Sequence, residues 1–252
     1  MKYLKWVLGL HRRTTNIAVY GDTGRYPIAI KIIPQCVKYF RRLALKSTDG
    51  SLSLVGCAFM EQKNVGLDWY KSWNAISEVA GTPDLCKQTI SQMFITSWDN
   101  KRKICNKLSF NNSVKDTFSM EEFLNIKDAN SRKAISRIRS SAHDLNIELG
   151  RATPFLAEKA CRICCDRNAI NDLQLLPGFN PIIEDECHAI STCPLNHQLR
   201  LKLTDSVKSL IMQHHYKRIM ADTTLAKEFG IYLHKCFLIR NPKKPPEQQE
   251  SK

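Results

Sequence analysis

Acidic side chains are in short supply: 24 aspartates and glutamates face 38 lysines and arginines, leaving a formal charge of +14. The shortage is sharpest at the start, where residues 1–46 set ten basic residues against Asp22 alone. An excess of that size favours a polyanionic partner, and nucleic acid is the commonest. A solvated basic face, or a surface for an acidic protein, is the plainer alternative. Long apolar runs are missing too. Nothing approaches the roughly 20 apolar residues that cross a bilayer. The short run 6–10 follows Lys5 and ends in His11-Arg12-Arg13, where a signal peptide would carry small residues. These absences predict an intracellular chain, in nucleus or cytoplasm, with no membrane contact. Thiols stay reduced there, so its ten cysteines read as metal ligands or buried thiols before disulfides.

Patterns that carry catalysis are also lacking. There is no glycine-rich phosphate loop, no serine, cysteine or histidine in a recognisable nucleophile setting, no internal repeat and no heptad array. Glu184-Asp185-Glu186 reads as the acidic first turn of a helix, where the helix dipole favours negative charge. The expectation is a protein without chemistry of its own. Its 43% apolar and 25% charged residues are those of an ordinary globular chain, long enough for one or two domains with a real core.

What the sequence does hold is a set of soft metal ligands. Cys161-x2-Cys164 is followed, after 23 residues, by His188-x4-Cys193. Three thiolates and one imidazole suit a four-coordinate zinc. The intervening stretch contains Pro177, Gly178, Asn180 and Pro181, as a loop should, and Pro194 follows the second half before a helix-compatible run. A C-x2-C knuckle and the start of a helix would then supply two ligands each. The alternative is that these are buried free thiols acting as small hydrophobes. Cys165 adjoins one ligand and Cys187 adjoins His188, so either spare thiol can stand in for its neighbour.

These residues carry a resemblance. The string RIRSSAHDLNIELGR from Arg137 to Arg151, then Cys161-x2-Cys164, then Glu184-Asp185-Glu186-x-His188, Cys193-Pro194 and Arg200, resembles the C-terminal region of non-LTR (LINE-type) retrotransposon reverse transcriptases. That pattern runs R-x-S-x-H-x-L-x-I-E-x-G-R, C-x-x-C, E-D-E-x-H-F, C-P, R. The opening stretch 8–43 is similar to the segment after the polymerase thumb. Ala189 stands where the family has Phe, Asn196 where an aromatic is common, and Asp22 where Glu is common. The resemblance implies a tail that helps hold template RNA or target DNA, working with polymerase and endonuclease activities that lie upstream. Tyr20-Gly21-Asp22-Thr23 looks superficially like a polymerase Y-x-D-D. Two-metal phosphoryl chemistry needs paired carboxylates, and here one aspartate is followed by a threonine, so the stretch reads as a glycine turn.

The fold class predicted is mainly α, helical bundle segments with a small CCHC zinc-closed subdomain near the C-terminus. Residues 1–46 form a basic helical segment, with Ile28, Ile32, Val37, Phe40 and Ala44 at helical spacing and a kink expected at Pro34. Residues 47–53 are a turn or linker, and 54–151 a helical connector with helices at 67–80, 85–105 and 130–143. Trp69, Tyr70, Trp73 and Ile76 read as core, Lys101, Arg102, Lys103 and Lys107 as a possible phosphate grip, and Ser119-x2-Glu122 as a capping box. Residues 152–240 hold the zinc subdomain and helices at 195–213 and 223–239, and 241–252 are a disordered polar tail. Nucleic-acid contacts are expected at Arg12, Arg13, Arg41 and Arg42 and at Arg137, Arg139 and Arg151, with His143 and Glu148 read as structural. The function expected is that of a non-catalytic, zinc-stabilised nucleic-acid-binding fragment. A zinc-stabilised module for an acidic protein partner, or a non-functional remnant of a mobile element, is the alternative.

Overall fold

A computed structural model describes residues 1–12, 14–48, 54–66, 71, 87–165 and 181–240. Among these residues the chain is mainly helical and forms no β-strand. The one departure is an isolated antiparallel bridge between Ala160 and Ile183. Two compact units result. The larger joins residues 1–25 to 100–252, and the smaller is 26–99. The sequence reading had kept 1–46 together. What ties the first 25 residues to the larger unit is a long-range ion pair and a small apolar cluster of Leu8, Leu10 and Val19, with Leu124 and Ala142 packed on it.

The core of the larger unit lies where the Ala129–Arg139 helix runs along the Thr223–Arg240 helix. Asp128 starts the first of these by accepting from the Ser131 amide at 2.8 Å. Asp222 starts the second by accepting from the amides of Thr224 and Leu225. Phe229 and Leu233 are fully buried against Ile135 and Ile138, and Phe123 and Ile219 close the cluster. Gly230 packs closely against Ser131 of the other helix. A Cβ there would stand 2.6 Å from Ser131 Cβ and 2.9 Å from its carbonyl oxygen.

Several local expectations are corrected. Tyr20-Gly21-Asp22-Thr23 is the end of the Asn16–Thr23 helix, and the turn falls one residue later, at Gly24 with φ +59. Ser119 does not cap a helix: its hydroxyl meets Thr117 at 3.1 Å, and a short 3-10 turn, Glu122–Asn125, follows. Glu122, the other half of the expected box, accepts from the Asn125 side chain at 3.0 Å, while the neighbouring Glu121 pairs with Lys115 and Arg139. The helix expected at 195–213 is interrupted. Thr204 begins a new helix, Asp205–Met212, and its amide and hydroxyl are both held by Glu228, at 2.6 and 2.9 Å.

In the smaller unit the Ala29–Thr48 helix, with Pro34 inside it, packs against the Leu54–Val65 helix. Its apolar face differs from the expected one. Ile30 and Val37 are buried, whereas Ile28 is 73% exposed. Tyr26 meets Phe94, from the Lys87–Lys103 helix, with ring centroids 5.8 Å apart. Trp69, Tyr70, Trp73 and Ile76, the linker at 49–53 and the tail 241–252 lie outside the described residues.

Candidate metal centre

Cys161, Cys164, His188 and Cys193 converge. Their ligand atoms all lie within 4.8 Å of one another, a spacing that lets them share one metal ion. Cys161 Sγ stands 3.8 Å from Cys193 Sγ, and Cys164 Sγ stands 3.4 Å from His188 Nε2. Cys161 and Cys193 are fully buried.

Each ligand is placed by local backbone chemistry. The Cys161 amide donates to the Ile182 carbonyl at 2.8 Å, beside the Ala160–Ile183 bridge. The Cys164 and Cys165 amides then fold back on the Cys161 carbonyl, at 3.2 and 2.9 Å, which is the knuckle the C-x2-C spacing implies. On the other half the backbone departs from the α-helix. His188–Thr192 is a π turn, and the Cys193 amide donates to the His188 carbonyl at 2.9 Å. In an α-helix, residues five apart point about 140° away from each other. The wider turn removes that divergence, so His188 and Cys193 reach one centre. Turns of this kind are rare, and functional sites are among the places they occur.

The imidazole is held in one orientation. Thr192 Oγ1 lies 2.9 Å from His188 Nδ1, and the His188 amide donates to Asp185 at 2.7 Å. This leaves Nε2 facing the thiols, the arrangement in which an outer partner fixes a ligating histidine. Arg200 donates to the Cys193 carbonyl at 2.8 Å, and Tyr232 to that of Ile190 at 2.5 Å, so the turn is also pinned from behind. Cys161 and Cys193 face each other within hydrogen-bond reach of sulfur. The hydrogen bond from Cys193 holds the Cys161 thiol down to about 3, against burial, and the same bond pushes Cys193 up. Burial, and then the Cys161 thiolate, push Cys164 to about 11.

The two spare thiols point elsewhere. Cys165 Sγ lies 4.0 Å from the Ile182 carbonyl. Cys187 packs on the core, where burial and the carboxylates of Asp185 and Glu186 push it to about 11.

Glu184-Asp185-Glu186, expected as an acidic first turn, does three separate jobs. Glu184 is buried, accepts from the Asn146 amide at 2.8 Å and pairs with Arg240. Asp185 caps the His188 amide. Glu186 faces His143 Nε2 at 3.0 Å, inside the protein. Burial alone would raise the Glu186 carboxyl, but the His143 and Ser141 hydrogen bonds outweigh it and hold it below the ordinary range. Glu148 pairs with Arg151.

The expected nucleic-acid contacts divide. Arg12 and Arg42 are exposed, in the larger and smaller unit respectively. Arg137 is partly exposed, and donates to the Ala142 carbonyl at 3.1 Å while facing Asp144 at 3.4 Å. Arg13 and the side chain of Arg41 lie outside the described residues. Arg139 is corrected. It has no exposed surface, and it donates to Asp22 from Nη2 at 2.7 Å and from Nε at 3.2 Å. Asn111 reaches the same carboxylate, Phe123 lies under the guanidinium at 5.3 Å, and Glu121 adds a second acid. Burial opposes the guanidinium charge, and the two acids more than offset it. A side chain so enclosed makes no phosphate contact. Arg102, part of the expected phosphate grip, is likewise turned inward, onto Asn112 and the Lys115 carbonyl. The signal that sequence reasoning missed was Asp22, the lone acid of its basic stretch.

Comparison with known proteins adds no neighbour: no family model matches the chain, and neither a curated protein nor a solved structure is similar to it.

Proposed function

We propose that this chain is a nucleic-acid-binding module closed by one zinc ion, akin to the C-terminal region of a non-LTR retrotransposon reverse transcriptase and without a catalytic centre of its own. Its partners are RNA or DNA and, through them, a separate reverse transcriptase polypeptide. The observation that carries the reading is the convergence of Cys161, Cys164, His188 and Cys193, the ligand set the resemblance implies, on a chain of formal charge +14. Their chemistry fits zinc. Zn–S bonds of about 2.3 Å and a Zn–N bond of about 2.0 Å, at tetrahedral angles, set sulfurs about 3.8 Å apart and sulfur about 3.5 Å from nitrogen. The distances between Cys161 and Cys193 and between Cys164 and His188 are 3.8 and 3.4 Å.

The metal would act as a staple, supplying folding energy to a segment that has little else to order it. The chain's own residues do the rest. The knuckle is anchored through Ile182 and the π turn through Arg200, so closing the centre fixes both halves against the core helices. Among the described residues, Asp22 is paired with Arg139, Glu184 with Arg240 and Glu186 with His143.

Filter binding of single-stranded RNA, structured RNA and duplex DNA across a salt series tests the reading. Phosphate contacts release counterions, so log affinity should fall linearly with log salt, by about 0.7 to 0.9 per contact. Binding that ignores salt, or is confined to acidic proteins, would overturn it.

A further inference from the structure

A cleft of about 540 Å³ opens in the larger unit, away from the metal centre's thiols. One side is Gly9, Leu10, His11, Thr14 and Thr15, ahead of the Asn16–Thr23 helix. The other is the turn from Ser140 to Asp144 that ends the Ala129–Arg139 helix, and Lys107 completes the lining. Its charge is positive. Lys107 and Arg137 line it, and its one acid, Asp144, already faces Arg137. Hydroxyls of Thr14 and Thr15 stand among them, with Leu10 and Ala142 as small apolar surface.

The walls are held rigidly. Ser141 adopts φ +50, a conformation a serine keeps only when its surroundings enforce it. The enforcement is visible: its hydroxyl bonds the Lys107 carbonyl and lies 3.1 Å from Glu186. On the opposite side the buried Lys5 side chain donates to the carbonyls of Arg12 and Thr14, which ties both to Lys5. Gly9, at φ +65, leaves room for the Lys133 side chain, which any Cβ there would displace. Strain and clamping at a pocket of this size, lined by cations and hydroxyls, are features of a ligand seat.

We infer that this cleft seats one phosphate-bearing nucleotide unit, with Lys107 and Arg137 on the phosphate and the Leu10–Ala142 surface beneath the base or sugar. The inference rests on the nucleic-acid reading above and gives it a location. A phosphate alone would leave most of the volume empty, whereas a nucleotide fills a cleft within the ordinary small-ligand range of about 300 to 1,000 Å³. The phosphate can belong to a free mononucleotide, to a strand end or to an internal diester.

The test uses the full chain with three probes: uridine monophosphate, and an eight-residue single strand with and without a 5′-phosphate. Amide NMR shifts of Gly9, Lys107 and Ser141 report the cleft, and anisotropy reports the strand. Lys107→Gln is the main variant because Lys107 is exposed, while Arg137 also supports the turn through the Ala142 carbonyl and Phe237. Lys227→Gln, at an exposed position outside the cleft, is the control. The expected result is a shift of those amides by the mononucleotide and a weakening of roughly fivefold or more in Lys107→Gln, as a lost charged hydrogen bond implies, with Lys227→Gln unchanged. Preference for the phosphorylated strand would place a strand end in the cleft, and equal binding an internal diester. If the strand binds but the amides stay still and Lys107→Gln binds as the parent does, the cleft inference falls and the nucleic-acid reading stands. If the mononucleotide shifts the amides but neither strand binds, the cleft stands and that reading falls.

Discussion

Asp22 and Arg139 are 117 positions apart in the chain and share a buried, hydrogen-bonded contact. Breaking a buried pair by removing one partner leaves an uncompensated charge, at a cost of about 3–5 kcal/mol. Asp22→Asn should therefore lower the unfolding free energy read by urea titration by an amount in that range while leaving zinc content intact. Replacing both residues together by apolar ones of similar volume should cost far less. A loss under about 1 kcal/mol in the single variant would show the pair to be dispensable. Asp128 tests the opposite regime, a cap near the surface. Hydrogen bonds from the Ser131 hydroxyl and amide hold its carboxyl below the ordinary value near 3.8. A lowered carboxyl pKa contributes stability that is complete above the unfolded value and lost as pH falls through the folded one. Wild type should thus exceed Asp128→Ala by about 1 kcal/mol near neutral pH. The gap should close only below about pH 4, as read by paired urea titrations; a gap that persists at pH 2 would mean the carboxylate is not its source. Neither residue's partner could be found in the sequence. Asp22 announced itself only as an isolated acid, and what it is isolated for is decided by a helix far along the chain.

Helices were legible where apolar spacing and end signals agreed. The last helix, expected at 223–239 and found at Thr223–Arg240, has both: Asp222 stands just before it, and Phe229 and Leu233 recur along one face. They were less legible where a local signal competed with a tertiary one. The Ser119 capping pattern gave way to contacts of Ser119 with Thr117 and of Glu122 with Asn125, and the run 195–213 broke because Thr204 is caught by Glu228 from another helix. Gly230 is a case in which helix propensity and packing point in opposite directions. Alanine gains about 1 kcal/mol over glycine inside a helix. Here, however, its Cβ would meet Ser131 Cα and carbonyl oxygen at 2.9 Å, backbone atoms that do not yield cheaply. Overpacking costs about 1–3 kcal/mol, so Gly230→Ala should be net destabilising, with a lower thermal midpoint. A raised midpoint would mean the two helices part without penalty.

For the molecule as a whole, the metal centre was the most legible feature and the basic surface the least. Four ligands spread over 33 positions were identifiable because their residue types are rare and their spacings set knuckle geometry; the choice against Cys165 and Cys187 required the backbone, which turns one toward Ile182 and packs the other on the core. Basic residues carry no such specificity. Arg139 and Arg137 lie two apart in sequence, yet one is enclosed and the other lines a cleft, a distinction fixed by which face of one helix meets the core. On the proposed reading the metal would join pieces otherwise linked by individual contacts: the knuckle through Ile182, the Asn146 stretch through Glu184, and the π turn through Arg200 and Tyr232. Purified protein should therefore carry about one zinc per chain, since binding and local folding are a single equilibrium. Cys161→Ser should lose most of that zinc, whereas Cys165→Ser should keep it. Chelation should raise hydrogen exchange at the amides of Asn146, Cys161, Glu184 and Cys193 well before it affects Ile135 or Leu233, which the paired helices protect without the metal. Zinc content unchanged in Cys161→Ser, or exchange that rises equally at all these amides, would overturn the staple.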